Sequence, residues 1–131
     1  FPYTTLFRSL SNYSKALVNR ALPGNDVTVA PFKGWGVGGL VCSDFLSPHL
    51  YRRAGLKGAG ILVNLANPAW FHKSQNLYDK TLQISKVHAV QSRAYYLQAT
   101  NGAPSFAIAP DGSIIAETPW NFFGALPIRI P

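Results

Sequence analysis

Residues 38–65, GGLVCSDFLSPHLYRRAGLKGAGILVNL, decide the fold of this chain. The segment opens on an apolar run between glycines (residues 38–42) and closes on a second apolar run (residues 60–65), and both runs are typical of buried strands. Between them, Ser47 followed by Pro48 predicts a helix start, because serine suits the N-cap and proline fits the first turn. The glycines that follow end the helix. Strand, helix and strand in this order predict a crossover between parallel strands.

Further elements flank this unit on both sides. Upstream, the sequence predicts a short strand over residues 27–30 and a turn over residues 31–36. Downstream, Ser74 is the predicted N-cap of a long helix over residues 75–93, whose apolar side chains form one broad face. Three strands follow the long helix, over residues 95–99, 105–109 and 113–117.

Together these elements predict an α/β fold with a mixed sheet and two main helices. The turn Pro110-Asp111-Gly112 joins the last two strands as a hairpin, because glycine accepts the positive φ that such turns require. Both helices are expected on one face of the sheet. The central strands are apolar on both faces, so the second face is expected to need a covering layer.

Composition limits the chain to one domain. It has 131 residues, of which 47% are hydrophobic and only 13% charged, so we expect part of its surface to be covered by another body. The chain contains no methionine, and residues 1–9 resemble a translated linker or adaptor, with an ordinary apolar strand as the alternative. The sequence shows neither a signal peptide nor an apolar stretch of about 18 residues that could span a membrane.

The net charge of +7 raises the question of nucleic-acid binding. Arg52, Arg53 and Lys57 form one small basic group, and the other basic residues are scattered. No run is dense enough to follow a phosphate backbone, so we do not expect a nucleic-acid partner. A solvated helix face and an anionic membrane surface both remain compatible with this charge.

Cys42 is the candidate nucleophile, and it is the one cysteine in the chain. It comes at the end of a predicted strand, where ligand sites of α/β folds lie. The nearby helix N-terminus favours a thiolate, and the backbone N–H of Ser43 is a candidate donor to an oxyanion. Asp44 would share a face with the thiol in a strand and could orient a substrate amine or a lysine. The alternatives are a small buried hydrophobe for Cys42 and a turn or capping residue for Asp44.

The other polar residues predict no metal or cofactor site. His49, His72 and His88 are distributed over two helices and a loop, and no pair has the spacing of metal ligands. The glycines within residues 34–39 precede a strand instead of following one, which argues against a phosphate-binding loop.

Four segments together resemble the nitrilase (carbon–nitrogen hydrolase) superfamily, and within it the apolipoprotein N-acyltransferases. They are GLVCSDFLSP (residues 39–48), GILVNLANPAWF (residues 60–71), KVHAVQSR (residues 86–93) and QATNG (residues 98–102). The first resembles the family's strand, nucleophilic cysteine and elbow, and the second resembles its buried strand and Trp-Phe loop. The resemblance implies that residues 10–131 are the C-terminal half of a nitrilase-type α-β-β-α sandwich.

The resemblance also implies a thiol acyl-transfer chemistry. In the superfamily a cysteine attacks an acyl carbonyl, a glutamate acts as base and a lysine stabilises the oxyanion. Only the cysteine maps onto this chain, at Cys42, with Ser43, Asp44, Trp70 and Phe71 as substrate-binding or supporting residues. The implied enzyme takes an acyl chain from a phospholipid and transfers it to the N-terminal amine of a lipoprotein. Its catalytic domain would lie on the periplasmic or outer side of the cell inner membrane, with the glutamate and lysine in an earlier half.

Several departures from the family keep two alternatives open. The family has tyrosine and glutamate where this chain has Ser43 and Asp44, aspartate where it has Pro68, and a helix-end glutamate where it has Gln91. A soluble nitrilase-like amidase and a non-catalytic binding module of the same fold are therefore the alternatives. Without the base and the oxyanion lysine, the chain by itself is predicted to be inactive and poorly soluble.

Overall fold

The computed structural model describes residues 26–131, and predictions about the preceding residues, including the linker at residues 1–9, lie outside the described part. The strands are β1 (Val29–Phe32), β2 (Trp35–Val41), β3 (Ile61–Ala66), β4 (Tyr95–Thr100), β5 (Phe106–Ile108) and β6 (Ile114–Glu117). The helices are α1 (Pro48–Leu56) and α2 (Gln75–Ser92), and two short 3-10 helices, Cys42–Leu46 and Ala69–Phe71, follow β2 and β3. The predicted α/β class with two main helices is confirmed.

The six strands lie in chain order within one mixed sheet. β2, β3 and β4 pair in parallel, and the remaining neighbours are antiparallel. α1 connects β2 to β3 and α2 connects β3 to β4, so the parallel pairs arise from helical crossovers, as the sequence predicted for the first of them. The predicted hairpin between the last two strands is also present, and Gly112 in its turn has a φ of +86°.

The first hairpin differs from the prediction. The sequence predicted a turn over residues 31–36, whereas β1 extends to Phe32 and β2 begins at Trp35. The turn is therefore formed by Lys33 and Gly34 alone, whose φ angles of +48° and +85° belong to a tight two-residue hairpin. The observed first strand therefore lies further along the chain than the predicted one, because the pattern of a strand does not show how few residues close the turn after it.

The starts of the two helices follow the predicted capping positions. Ser74 caps α2, because its Oγ accepts the backbone N–H of Leu77 at 3.3 Å. Ser47 occupies the N-cap of α1 before Pro48, but its hydroxyl pairs with Nδ1 of His49 at 3.0 Å and makes no capping bond to the helix. Among residues 26–131, no helix combines the length and the apolar character needed to cross a bilayer.

The hydrophobic core lies between the sheet and the two helices. The sheet contributes the buried side chains of Leu40, Leu62 and Tyr96, one from each of the three central strands. Tyr51 of α1 and Leu82 of α2 pack against this face and belong to the same cluster. Side chains alternate between the two faces of a strand, so the residues between these positions point away from the helices.

The opposite face of the sheet is apolar and largely open. Val41, Leu65 and Ala99 are aligned across the three parallel strands, and Val41 and Leu65 are 60% and 55% exposed. Apolar side chains in the middle of a sheet stabilise a fold only when another layer covers them. The expectation that this face needs a partner layer therefore agrees with the structure of residues 26–131.

Candidate active site

Cys42 is the first residue after β2 and the first residue of the 3-10 helix Cys42–Leu46. Its φ is +51°, a left-handed conformation that costs a non-glycine residue about 1–3 kcal/mol. The residue is partly exposed to solvent. Strained residues of this kind concentrate at functional sites, so the geometry favours a role in chemistry over simple packing.

Hydrogen bonds hold the backbone on both sides of Cys42. The N–H of Val41 donates to Oδ2 of Asp44 at 2.9 Å, and the carbonyl of Cys42 accepts from Nδ2 of Asn64 at 3.2 Å. Asp44 therefore supports the turn itself. The prediction that Asp44 lies on the same strand face as the thiol was wrong, because β2 ends at Val41. Substrate binding by Asp44 stays a prediction.

An open depression of about 450 Å³ lies at the carboxyl ends of β2, β3 and β4 and includes Cys42. Its lining consists of Val41, Cys42, Leu65, Ala66, Asn67, Ala99, Thr100 and Asn101. Cys42 is the one titratable side chain among these described residues. The depression therefore combines the thiol of Cys42 with an apolar wall, and it holds no side chain that could act as a base toward that thiol.

The rim of the depression connects the loops that follow β3 and β4. Oδ1 of Asn67 accepts both the backbone N–H of Ala69 and Nδ2 of Asn101, each at 3.3 Å. Ala69 begins the 3-10 helix that also contains Trp70 and Phe71. The two asparagines therefore tie the Trp-Phe turn to the edge of the site.

The remaining predicted site residues lie beside the depression instead of in its lining. Trp70 and Phe71 are 70% and 50% exposed, and their ring centroids are 5.1 Å apart. Ser43 is partly buried within the 3-10 helix that follows Cys42. The structure thus brings Cys42 to the depression and leaves Trp70 and Phe71 as an exposed aromatic pair close in sequence to its rim. Roles for all three neighbours remain predictions.

Buried polar side chains lie beneath Cys42. Nδ2 of Asn64 donates to the carbonyl of Cys42 and, at 3.0 Å, to Oε1 of Gln98. Oε1 of Gln98 also accepts from the hydroxyl of Tyr96 at 2.9 Å, and that hydroxyl lies 3.3 Å from the hydroxyl of Tyr51. Burial raises the pKa of both tyrosines, so both keep their protons at neutral pH.

His88 supports the turn from α2. Its Nε2 lies 2.7 Å from the carbonyl oxygen of Phe45, and its ring stacks on Tyr51 at a centroid distance of 4.0 Å. A carbonyl only accepts, so Nε2 carries the proton. Burial lowers the pKa of His88, which favours the neutral ring. His88 therefore acts here as a buried structural histidine.

Sequence reasoning assigned no role to Asn64, Gln98, Asn67 or Asn101. The first two are polar residues inside otherwise apolar strand runs, and both are buried. A buried polar residue in a central strand needs a partner, so this pattern could have marked them. Asn67 and Asn101 each follow a parallel strand directly and therefore meet at the same edge of the sheet.

The family model for carbon–nitrogen hydrolases matches residues 4–124 of this chain. The chain belongs to the carbon–nitrogen hydrolase family. This confirms the resemblance to the nitrilase superfamily, and it agrees with the mixed sheet, the two helices and the cysteine at the carboxyl end of β2.

No group of three His, Cys, Asp or Glu side chains that could hold a metal ion occurs in the part of the chain that the structure describes.

Curated relatives of this carbon–nitrogen hydrolase chain include several apolipoprotein N-acyltransferases. The enzyme of Aquifex aeolicus is 26% identical over 103 residues, which are 79% of this chain and 23% of the relative. Apolipoprotein N-acyltransferase 1 of Treponema pallidum is 27% identical over 118 residues, which are 89% of this chain and 21% of the relative. The chain thus spans between a fifth and a quarter of the length of these relatives.

Solved structures of the carbon–nitrogen hydrolase family share the fold. An amidase from Nesterenkonia sp. superimposes with a TM-score of 0.63 and 20% identity over 74% of this chain and 39% of that structure. A carbon–nitrogen hydrolase from Helicobacter pylori G27 gives a TM-score of 0.66 and 17% identity over 73% of this chain and 40% of that structure. The predicted nitrilase-type fold is therefore confirmed.

Proposed function

We propose that this chain contributes the nucleophile to an N-acyltransferase of the carbon–nitrogen hydrolase family, and that Cys42 carries the acyl group. The observation that carries the proposal is the conformation of Cys42 at the carboxyl end of β2, strained and open to a depression. A thiol needed only for packing is usually buried, whereas Cys42 is partly exposed at the site edge of the sheet.

The proposed reaction has two acyl transfers. The thiolate of Cys42 attacks the ester carbonyl of a phospholipid, a C–S bond forms, and the ester C–O bond breaks. The general base holds the proton that it removed from the thiol and gives it to the leaving alkoxide, which departs as a lysophospholipid alcohol. The N-terminal amine of a lipoprotein then attacks the thioester, so that a C–N bond forms and the C–S bond breaks. The thiolate is restored, and the amine proton passes to the general base.

The described residues supply part of this machinery. The N–H of Ser43 follows the nucleophile directly, which is the position of an oxyanion donor in comparable elbows. The base and the second oxyanion group, a glutamate and a lysine by family resemblance, are not among the lining residues of the depression. We therefore propose that they belong to the remainder of the same domain, whose strands cover the open face at Val41 and Leu65.

The Trp70–Phe71 pair is the proposed acyl contact. Both side chains are exposed, and their turn is tied to the site rim through Asn67. An exposed aromatic pair suits an acyl chain or a membrane interface. In this proposal the catalytic domain lies at the periplasmic or outer surface of the inner membrane, which is the location that the family resemblance implies.

A second candidate function is hydrolysis of small amides, because the fold matches an amidase from Nesterenkonia sp.. A structure of a glutamate-to-glutamine mutant of that amidase shows the result of Michael addition of acrylamide at the active-site cysteine. The two functions differ in the acceptor of the second step, which is an amine in the transferase and water in the amidase. Release of ammonia from simple amides therefore indicates the amidase, and transfer of an acyl chain to a peptide amine indicates the transferase.

The test uses the full-length protein with a phospholipid donor and a diacylglyceryl-peptide acceptor. Wild type is expected to form an acyl adduct on the Cys42 peptide, detected by mass spectrometry, and to acylate the acceptor amine. Cys42→Ala should lose both products, while Lys80→Ala, an exposed substitution on α2, should keep both. Acceptor acylation by Cys42→Ala at the wild-type rate would refute the proposal. Ammonia release without amine acylation would select the amidase instead.

A further inference from the structure

Four buried polar side chains form a continuous hydrogen-bonded network beneath Cys42. Asn64, Tyr96 and Tyr51 are fully buried, and Gln98 is 4% exposed. They come from β3, β4 and α1, which surround the core directly under the candidate site. A core of this size does not need polar groups for stability, because apolar side chains of the same volume pack without a desolvation cost.

Counting the available protons fixes the direction of the hydrogen bonds among these four side chains. The two hydrogens of the Asn64 amide are used by the carbonyl of Cys42 and by Oε1 of Gln98. The hydroxyl of Tyr96 gives its single proton to the same Oε1, so Tyr51 donates to Tyr96. Donors therefore lead from Tyr51 to Gln98, and Gln98 fixes the orientation of the Asn64 amide.

The network of the four polar side chains ends at Cys42, the residue with the strained backbone. Cys42 has a φ of +51°, and such a conformation persists only where the surroundings determine it. The backbone before it is held by Asp44 through the N–H of Val41. The carbonyl after it is held by Asn64. Since that carbonyl belongs to the peptide that links Cys42 to the N–H of Ser43, its orientation also sets the direction of that N–H.

We propose that Asn64 is a positioning residue for Cys42, and that Gln98 acts through Asn64 by holding its amide in place. The proposal rests on the proposed function in one respect, that Cys42 is the reacting group. Asn64 does not contact the substrate. It fixes the peptide after Cys42, and with it the direction of the thiol and of the Ser43 N–H.

The experiment measures alkylation of Cys42 by acrylamide in the full-length protein, with the Cys42 peptide quantified by mass spectrometry across pH. Asn64→Leu removes both donors at nearly constant volume and is expected to lower the alkylation rate and kcat by about 10- to 100-fold. KM should stay within about twofold, because Asn64 touches no substrate. Gln98→Leu should give a smaller loss in the same direction.

Thr81→Val is the matched control. It removes the hydrogen bond from Thr81 Oγ1 to the carbonyl of Leu77, at 2.8 Å, within α2. It costs one part-buried hydrogen bond at nearly constant volume, and neither residue belongs to the turn or to the four buried polar side chains. Its alkylation rate and kcat should stay within about twofold of wild type at equal folded fraction.

The outcomes separate the two proposals. Folded Asn64→Leu with wild-type alkylation rate and pH profile would overturn the positioning role. If Asn64→Leu does not fold, Gln98→Leu decides, and an unchanged rate in that variant overturns the role. Amine acylation by Cys42→Ala would refute the proposed function, whereas the alkylation rates need no substrate and report separately on the position of the thiol.

Discussion

Replacing Gly102 by alanine is expected to destabilise the site loops, because two separate costs meet at this position. Gly102 has a φ of +81°, and alanine pays about 1–2 kcal/mol in that region. A Cβ on Gly102 would also lie 2.7 Å from the Cα and Cβ of Ala69, at the start of the Trp-Phe turn. Overpacking of this kind costs about 1–3 kcal/mol. Both loops are exposed, so part of the overlap is relieved by a shift of the turn.

Gly58→Ala provides the matched control. Gly58 has a φ of +84°, and a Cβ there would meet nothing within 4 Å. The backbone strain and the effect on the unfolded chain are therefore alike in the two variants, and they cancel in the comparison. The difference that remains measures the close approach to Ala69, which we expect to be about 1–2 kcal/mol.

The assay is thermal unfolding of the full-length protein at one scan rate, with both variants compared to wild type. In a domain of about 150–250 residues, each kcal/mol lowers Tm by about 2–4 °C. Gly102→Ala should therefore unfold about 2–8 °C below Gly58→Ala. Equal Tm values for the two variants would show that the loops after β3 and β4 do not pack backbone against backbone, and the proposed link between the site rim and Trp70 would fail with it.

Two further predictions concern the core. Leu62 is fully buried in β3, so Leu62→Ala should lower the free energy of unfolding by about 2–5 kcal/mol, measured by denaturant titration, and a loss below about 1 kcal/mol would contradict the packing of this face. Burial lowers the pKa of His88 from its usual value of 6.5, so the unfolded chain binds the proton first and stability falls as pH drops below about 6.5. His88→Gln should flatten this slope below about pH 6.5, seen in denaturation midpoints, and an unchanged slope would assign the effect to another group.

Most of the fold could be predicted because its signals are local. Apolar strand runs, Ser74 before the long helix and the glycine in the last turn each act within a few residues. The crossover rule then gave the parallel pairing of β2 and β3. The first turn was predicted too long, because two adjacent residues with positive φ, Lys33 and Gly34, are enough to close it.

The candidate site was predictable only in part. Cys42 was chosen as the candidate nucleophile from its position after a strand, and the family resemblance implied its chemistry. The role expected for Asp44 assumed that the strand continues to residue 44, whereas β2 ends at Val41. Asn64 and Gln98 were passed over because a polar residue within an apolar run has no visible partner in the sequence.

What the sequence determined by itself was therefore the order of the elements, the choice of Cys42 as the candidate nucleophile and the family of the chain. These follow from patterns within one element or from motifs read along the chain. Only the tertiary structure decided which side chains meet across β2, β3 and β4. The contact from Asn64 to Cys42 joins residues 22 positions apart, and that from Asn64 to Gln98 joins residues 34 apart. Such contacts depend on strand register, and register is set by packing of the whole sheet on its helices.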